Sequence, residues 1–244
     1  VTTVKFWAIA DTHLSLGKPR DLSKFGDIWI NHTERLEADW RQKVRPQDKV
    51  LILGDISWSS TVRRAMYDLE WLAELPGEKI IIRGNHDRWW TDIKKVRRQV
   101  LPAGFYAVQG DTYEVDGVLF CGAQGHLAPH DPFYKPDPPH NRYQRELKTL
   151  KEAVKAVKKV RKAEQPLVVM MHYPPYTSDA KPTEYSDLVE QLAPAMCLYG
   201  HLHQPQEWEI AFDKQYQNGI YYRLLSADYV KMELQAIDPF QYGK

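Results

Sequence analysis

The chain is expected to adopt an α/β fold in which two mixed β-sheets pack between helices, and three observations predict it. Short apolar runs recur along the sequence and end abruptly in polar residues, as buried parallel strands do. Amphipathic stretches of helical length separate the early runs. From Tyr106 onward the texture turns to period-two alternation with hairpin signals, so helix-linked strands give way to hairpin-linked ones.

Residues 4–10 form the first strand-like run and lead to Asp11; residues 49–53 lead to Gly54-Asp55. Residues 79–82 end at Arg83-Gly84-Asn85-His86-Asp87, 167–171 at His172, and 195–199 at Gly200-His201-Leu202-His203. The first helical stretch, 27–44, carries Ile30, Leu36, Trp40 and Val44 as its stripe; the second is 65–75. The third, 146–163, places Leu147, Leu150, Val154 and Val157 at helical spacing, and its lysines fill the remaining positions as a solvated outer face. Asp116-Gly117 within 113–123 and Asn218-Gly219 within 208–225 are tight-hairpin signals, and 229–237 reads as a closing strand. Residues 124–145, rich in Pro, His and Tyr, read as a long loop, a candidate lid or substrate-side loop.

With 244 residues the chain fits one domain, 1–244, able to bury its own core without disulfides. Lys and Arg number 33 against 32 Asp and Glu, a balance that excludes binding by blanketing nucleic acid with positive charge. It leaves room for a phosphate-bearing ligand, because a metal site supplies its own local charge. Cys121 and Cys197 each lie in an apolar run and read as buried free thiols. Residues 1–10 lack a signal-peptide layout and no apolar run is long enough to span a bilayer, so a cytoplasmic location is expected.

Five predicted strand ends carry Asp, Asn or His, and in open α/β sheets ligands bind beyond the carboxyl ends of the strands. Taken singly, each cluster has an ordinary explanation: Asp11 and His13 as helix-capping neighbours, Asn85-His86-Asp87 as turn residues, His172 as a satisfied core histidine. His201-x-His203 says more, since alternate residues of an extended segment point the same way. Together Asp11, His13, Asp55, Asn85, His172, His201 and His203 make a credible ligand set for two divalent ions. Two such ions with two carboxylates and a hydroxide retain one positive charge, which suits a phosphate ester. An all-N/O donor set fits manganese or iron(II), with zinc, cobalt or nickel as alternatives, and its histidines disfavour magnesium.

The order Asp11-x-His13, Gly54-Asp55, Gly84-Asn85-His86-Asp87, His172, Gly200-His201-x-His203 resembles the calcineurin-like metallophosphoesterase superfamily. That resemblance implies a four-layer αββα sandwich, two sheets flanked by helices. It implies that Asp11, His13, Asp55 and His203 hold one ion and that Asp55, Asn85, His172 and His201 hold the other, with Asp55 shared. It makes His86 the catalytic donor to the scissile phosphate or leaving oxygen, and Asp87 the residue that orients its turn. A metal-bound hydroxide would attack phosphorus in line, without a covalent intermediate.

Departures from neighbouring branches narrow the class. Protein Ser/Thr phosphatases follow the second motif with a phosphate-gripping Arg and end the third in Glu; here Ile56-Ser57-Trp58-Ser59 follows Asp55, and Asp87 ends the third. Purple acid phosphatases carry a metal-binding Tyr where this chain has Trp58. What remains resembles the small bacterial metallophosphoesterases, with a lean toward phosphodiesters and phosphomonoesters close behind. A metal-binding scaffold without chemistry, or a nuclease, is the contrasting class. Substrate contacts are expected from Trp58, Arg88, Trp89, Tyr134 and Arg142, with Trp90, His126, His130 and Tyr143 nearby; the equal alternative is that these tryptophans are core and the loop is packing, and His32 and His126 are otherwise taken as structural.

Overall fold

The computed structural model describes residues 4–138, 141–204 and 213–242. In chain order its elements begin with β1 (Phe6–Ile9), α1 (His32–Lys43), β2 (Lys49–Leu53), α2 (Val62–Glu74), β3 (Glu78–Ile82), α3 (Ile93–Lys95) and β4 (Phe105–Ala107). There follow β5 (Thr112–Val115), β6 (Val118–Ala123), α4 (Arg142–Val160), β7 (Leu167–Met171), α5 (Glu184–Leu192), β8 (Met196–Tyr199), β9 (Gln215–Gln217), β10 (Ile220–Leu224) and β11 (Gln235–Ile237). The chain divides into two compact units: one runs to Ala107 and takes in Leu225–Ile237, the other runs from Val108 to Leu224 and resumes at Asp238.

Each unit holds one mixed sheet. In the first the order is β11-β1-β2-β3-β4, with β1 to β4 parallel and β11 antiparallel at the edge. Alternate residues Trp7 and Ile9, Val50 and Ile52, and Ile81 share one buried cluster with Leu36 and Trp40 of α1 and Leu69 and Leu72 of α2. Each such Leu or Ile contributes about 1.5–3 kcal/mol by leaving water. The polar tip of Trp40 is satisfied inside this cluster, its Nε1 donating to the Pro76 carbonyl at 2.8 Å. Asp48 fixes the entry to β2 by accepting from the Lys5 and Arg45 backbone N–H groups, each at 3.0 Å, and from Trp7 Nε1 at 3.2 Å.

In the second unit the order is β5-β6-β7-β8-β10-β9, a parallel centre of β6, β7, β8 and β10 closed on both sides by antiparallel hairpin partners. Asp116-Gly117 and Asn218-Gly219 make the two hairpin turns, all four residues having the positive φ that such turns require. The predicted stripe Leu147, Leu150, Val154 and Val157 is the buried face of α4. Helix α5 opens with a capping box, Thr183 and Ser186 each bonding the other's backbone N–H. Cys121 and Cys197 are both free and buried, and burial pushes the Cys121 thiol up to about 12, so neither is a reactive thiolate.

Several boundaries differ from expectation. Helix α1 begins at His32 rather than Asp27, because Asn31 adopts a left-handed backbone (φ 49°) and residues Asp27–Trp29 form a separate 3₁₀ turn. Helix α4 begins at Arg142, so Arg142 and Tyr143 belong to a helix rather than to the 124–145 loop. The Asp137 carboxylate receives the Arg142 backbone N–H at 3.3 Å and pairs with its guanidinium at 3.2 Å, while Tyr143 is buried with its hydroxyl donating to Glu184 at 2.7 Å. The closing strand is only Gln235–Ile237, since Lys231 and Met232 turn the chain with positive φ. Residues 208–212 of the expected second hairpin stretch, and residues 139–140 of the expected loop, lie outside the described residues.

Candidate metal centre

Because β1, β2 and β3 are parallel neighbours, their carboxyl ends share one edge of the first unit's sheet. Beyond that edge the chain stays zipped: Asp11 N–H donates to the Gly54 carbonyl at 3.0 Å, His13 N–H to Asp55 at 2.9 Å and Leu14 N–H to Ile56 at 2.9 Å. The zipper carries Asp11, His13 and Asp55 into one place. All three are buried, and Asp11 and Asp55 present oxygens within 4.8 Å of each other. His13 Nε2 lies 3.9 Å from Asp11 and 3.7 Å from Asp55.

Two carboxylates at that spacing repel by about 3 kcal/mol even at an effective dielectric of about 20, before their desolvation is counted. A divalent cation among them offsets both terms. The donors are carboxylate and imidazole with no thiolate, a set that fits a borderline divalent ion. The backbone agrees: Asp11, His13 and Asp55 all have positive φ, at 57°, 44° and 50°. Such conformations cost of order 1–3 kcal/mol each outside glycine and persist where surrounding structure enforces them.

The backbone bonds between the loops supply part of that enforcement, and a brace just after Asp55 is added by Asp87. One of its oxygens accepts from the backbone N–H groups of Ile56 and Ser57 at 3.0 and 3.1 Å and from Trp89 Nε1 at 3.0 Å; the other accepts from Gly84 N–H at 2.8 Å. It thus ties the turn after β3 to the segment after Asp55. Burial, then the charge of Asp55, pushes the Asp87 carboxyl up to about 7, while its donors pull the other way. Gly84 is needed here, since a Cβ would lie 2.1 Å from the Asp55 nitrogen. The same turn closes on Asp55 directly, His86 N–H donating to its Oδ1 at 2.7 Å.

Aromatic rings frame this edge. Trp58 stacks on His13 with centroids 4.7 Å apart and leans on the half-buried His86 at 4.3 Å. Trp29 meets His13 edge-on at 5.7 Å. Asn85 is half-buried and Arg88 exposed in the same turn.

The second unit builds its edge from imidazoles. β7 and β8 are parallel neighbours, so His172 and His201 follow adjacent strand ends, with rings 5.2 Å apart. The Gln124 carbonyl, just past β6, accepts from the N–H groups of His172 (3.1 Å) and Tyr173 (2.9 Å), and Gly200 N–H donates to His172 at 3.1 Å. Tyr173 lies against His201 with centroids 3.8 Å apart and stacks on His126 at 5.4 Å. His172 is fully buried, His201 half-buried and His203 exposed, and His201 also has positive φ, 70°.

Within the first unit, then, Asp11, His13 and Asp55 converge with Asn85 and His86 on the adjoining turn, and within the second His172 and His201 do. Trp89 does not join the expected substrate contacts: it is fully buried in the core beside Trp90 and serves Asp87. Arg142 is paired with Asp137 at the start of α4. Tyr134 meets His126 edge-on, with centroids 6.2 Å apart. The 124–138 segment is tied down, Asp131 accepting from Ser178 N–H at 2.7 Å and Ser178 Oγ at 3.1 Å, and His130 lying 3.0 Å from the Pro182 carbonyl. His32 is buried against Trp29, as a structural residue. Sequence reasoning missed Asp68, which accepts from Ser57 Oγ and from Leu16 N–H (2.7 Å) and so braces the segment after Asp55. Its signal was a carboxylate on the apolar stripe of α2, between Ala65 and Leu72.

Comparisons with known proteins agree with this geometry. The family model for calcineurin-like phosphoesterases matches residues 4–205, most of the chain. The gene 66 proteins of Mycobacterium phages L5 and D29 are 35% identical over 81 residues and 39% identical over 83. Those matches cover 33% and 34% of this chain, which spans about two fifths (39% and 40%) of the length of those relatives. Two solved structures are similar over 96% of both chains at 14% identity, which shows the fold alone. They are a protein of unknown function from Aquifex aeolicus, TM-score 0.52, and the phosphopantetheinyl hydrolase from Mycobacterium tuberculosis, TM-score 0.58.

Proposed function

The chain belongs to the calcineurin-like phosphoesterase family and is a metal-dependent phosphoric ester hydrolase, and from that premise we propose that it uses two adjacent divalent ions to hydrolyse small phosphodiesters in preference to monoesters. The observation that carries the proposal is the buried pair Asp11 and Asp55 with His13 between loops of left-handed backbone, a concentration of negative charge that calls for cations. His13 and His203 would join Asp11 and Asp55 in holding the first ion, and Asn85, His172 and His201 would join Asp55 in holding the second. Residues 1–244 then act as one functional domain. Manganese or iron(II) suits the carboxylate–imidazole donors best.

When bound, the ions supply Lewis-acid polarisation of the phosphoryl group and lower the pKa of an attacking water. The protein's own residues do the rest. His86, held by its backbone bond to Asp55, protonates the departing alcohol oxygen. Asp87 keeps that turn in register by bonds to both loops. Trp58, against His13 and His86, limits the water around them and offers a face to the substrate. Among the described residues no helix is long and apolar enough to cross a membrane. A cytoplasmic enzyme acting on a diffusible ester is the setting this proposal assumes.

The test pairs nitrophenyl phosphate with bis-nitrophenyl phosphate, on chelated protein and again after manganese is added. Turnover of both is expected only with metal, faster for the diester. Asp55→Asn should lower it by at least about 10³, the scale of several kcal/mol of lost charge stabilisation. Metal-loaded protein that turns over neither ester would sink the proposal.

A further inference from the structure

The segment between β1 and α1 is tied to the loop after β2 by shared partners. Ser15 closes its turn, its carbonyl accepting from Lys18 N–H at 3.2 Å and its Oγ from Arg20 N–H at 3.3 Å. Asp68 of α2 accepts from Leu16 N–H at 2.7 Å and from the hydroxyl of Ser57, the neighbour of Trp58. Trp58 N–H in turn donates to the Leu14 carbonyl at 2.9 Å. Gly17 lets the segment lie on α2, since a Cβ there would stand 2.1 Å from the Arg64 carbonyl oxygen. One network therefore sets the backbone of both Arg20 and Trp58.

Their side chains meet as well. The Arg20 guanidinium carbon lies 5.3 Å from the centroid of the Trp58 ring, and that ring packs on His13 at 4.7 Å and on His86 at 4.3 Å. Arg20 thus stands one aromatic ring away from the group assigned to proton donation. A guanidinium over an indole is held by cation–π attraction and keeps its N–H fork free for a pair of oxygens. Among the described residues Arg20 has no carboxylate or carbonyl partner for that fork. The adjacent Asp21 carboxylate is turned to Ser23, accepting from its N–H at 2.9 Å and its hydroxyl at 2.5 Å.

We propose that Arg20 is a specificity-determining residue that binds a second anionic group, a carboxylate or a phosphoryl group, carried by the alcohol that departs. The inference rests on the phosphoesterase reading for one point, that His86 faces the departing oxygen. Trp58 leans on His86, so a group a few bonds beyond that oxygen passes the indole and comes to the guanidinium. Bonds from a guanidinium to an oxyanion are charge-assisted and paired, and a fork already tethered to a ring loses less freedom in making them. A metal centre that draws the scissile phosphate and a cation one ring away select an ester charged at both ends over one with a neutral leaving group.

Three methyl aryl phosphates test this on metal-loaded protein, their leaving phenols bearing at the meta position a carboxylate, a phosphonate or a neutral carboxamide. Arg20→Gln should lower kcat/KM about tenfold more for one or both anionic esters than for the carboxamide, the scale of one charge-assisted contact. The anion that loses more identifies the group Arg20 prefers. Arg20→Lys, which keeps the charge without the fork, should recover part of the loss. Arg20 is exposed, so both variants should fold. A merely structural part for Arg20 would lower all three esters alike; that result overturns the proposal, as does no loss at all. If no ester is turned over, all three persist as ligands of the metal-loaded chain, and saturation-transfer NMR reads the same comparison. A preference for an anionic ester that Arg20→Gln abolishes then upholds the role of Arg20 while the phosphoesterase reading alone falls. Absence of that preference in the parent overturns the proposal.

Discussion

The two strand edges expose the same feature, polar residues just past parallel strands, and build it from different materials. In the first unit Asp11 and Asp55 stand on loops with left-handed backbone, cross-braced by Asp87 through four hydrogen bonds and by Asp68 behind Ser57. In the second unit the Gln124 carbonyl and the Gly200 N–H hold the backbone of His172, and the ring of Tyr173 packs on His201. Carboxylates repel one another when buried, so their loops need dedicated braces. His172 and His201 add no second carboxylate charge to their edge and are placed by sheet continuation and ring packing.

The largest effect that would sharpen this contrast is at His86, which the braces position without using. His86→Ala should lower kcat by about 10² to 10⁴ while metal content, read by elemental analysis, stays at the parent value. An unchanged kcat would remove His86 from the chemistry and leave the first unit with ligands only.

Next comes Asp87, where the brace itself is cut. Asp87→Ala leaves the N–H groups of Gly84, Ile56 and Ser57 and the Trp89 indole without their acceptor. A loss of about 2–4 kcal/mol in unfolding free energy is expected from denaturant titration, with about 10–100-fold weaker metal binding or activity. Asp87→Asn keeps one acceptor oxygen and should recover part of both. Wild-type metal affinity in Asp87→Ala would show that the loops hold their left-handed conformations unaided.

The smallest effect tests the other edge. Tyr173→Ala removes the ring packed on His201 and should weaken metal binding by only about 2- to 10-fold, the scale of one aromatic contact. If it costs as much as Asp87→Ala, the two edges are equally dependent on bracing and the contrast fails.

The placement of much of the candidate site at strand ends was legible before the structure. Asp11, Asp55, Asn85-His86-Asp87, His172 and His201 follow strand ends because a buried parallel strand reads as a continuous apolar run, and its end is marked by the first residue that water or a ligand must satisfy. The hairpins at Asp116-Gly117 and Asn218-Gly219 were equally visible, since few residue pairs accept positive φ twice in succession. Left-handed backbone at Asp11, His13 and Asp55 was not, because it arises from bonds between loops rather than from local preference.

Sequence by itself thus determined the strand-and-helix alternation, the family and the chemical types of the candidate ligands, all of which depend on local periodicity and on residue identity. Only tertiary structure decided that Asp87 and Asp68 are braces, that Trp89 is core while Trp58 packs against both His13 and His86, and that Arg142 opens a helix. It alone brought Arg20 over the Trp58 ring. These are facts about which distant groups meet, and a side chain's role in a buried network is set by partners tens of residues away, which no window of the sequence contains.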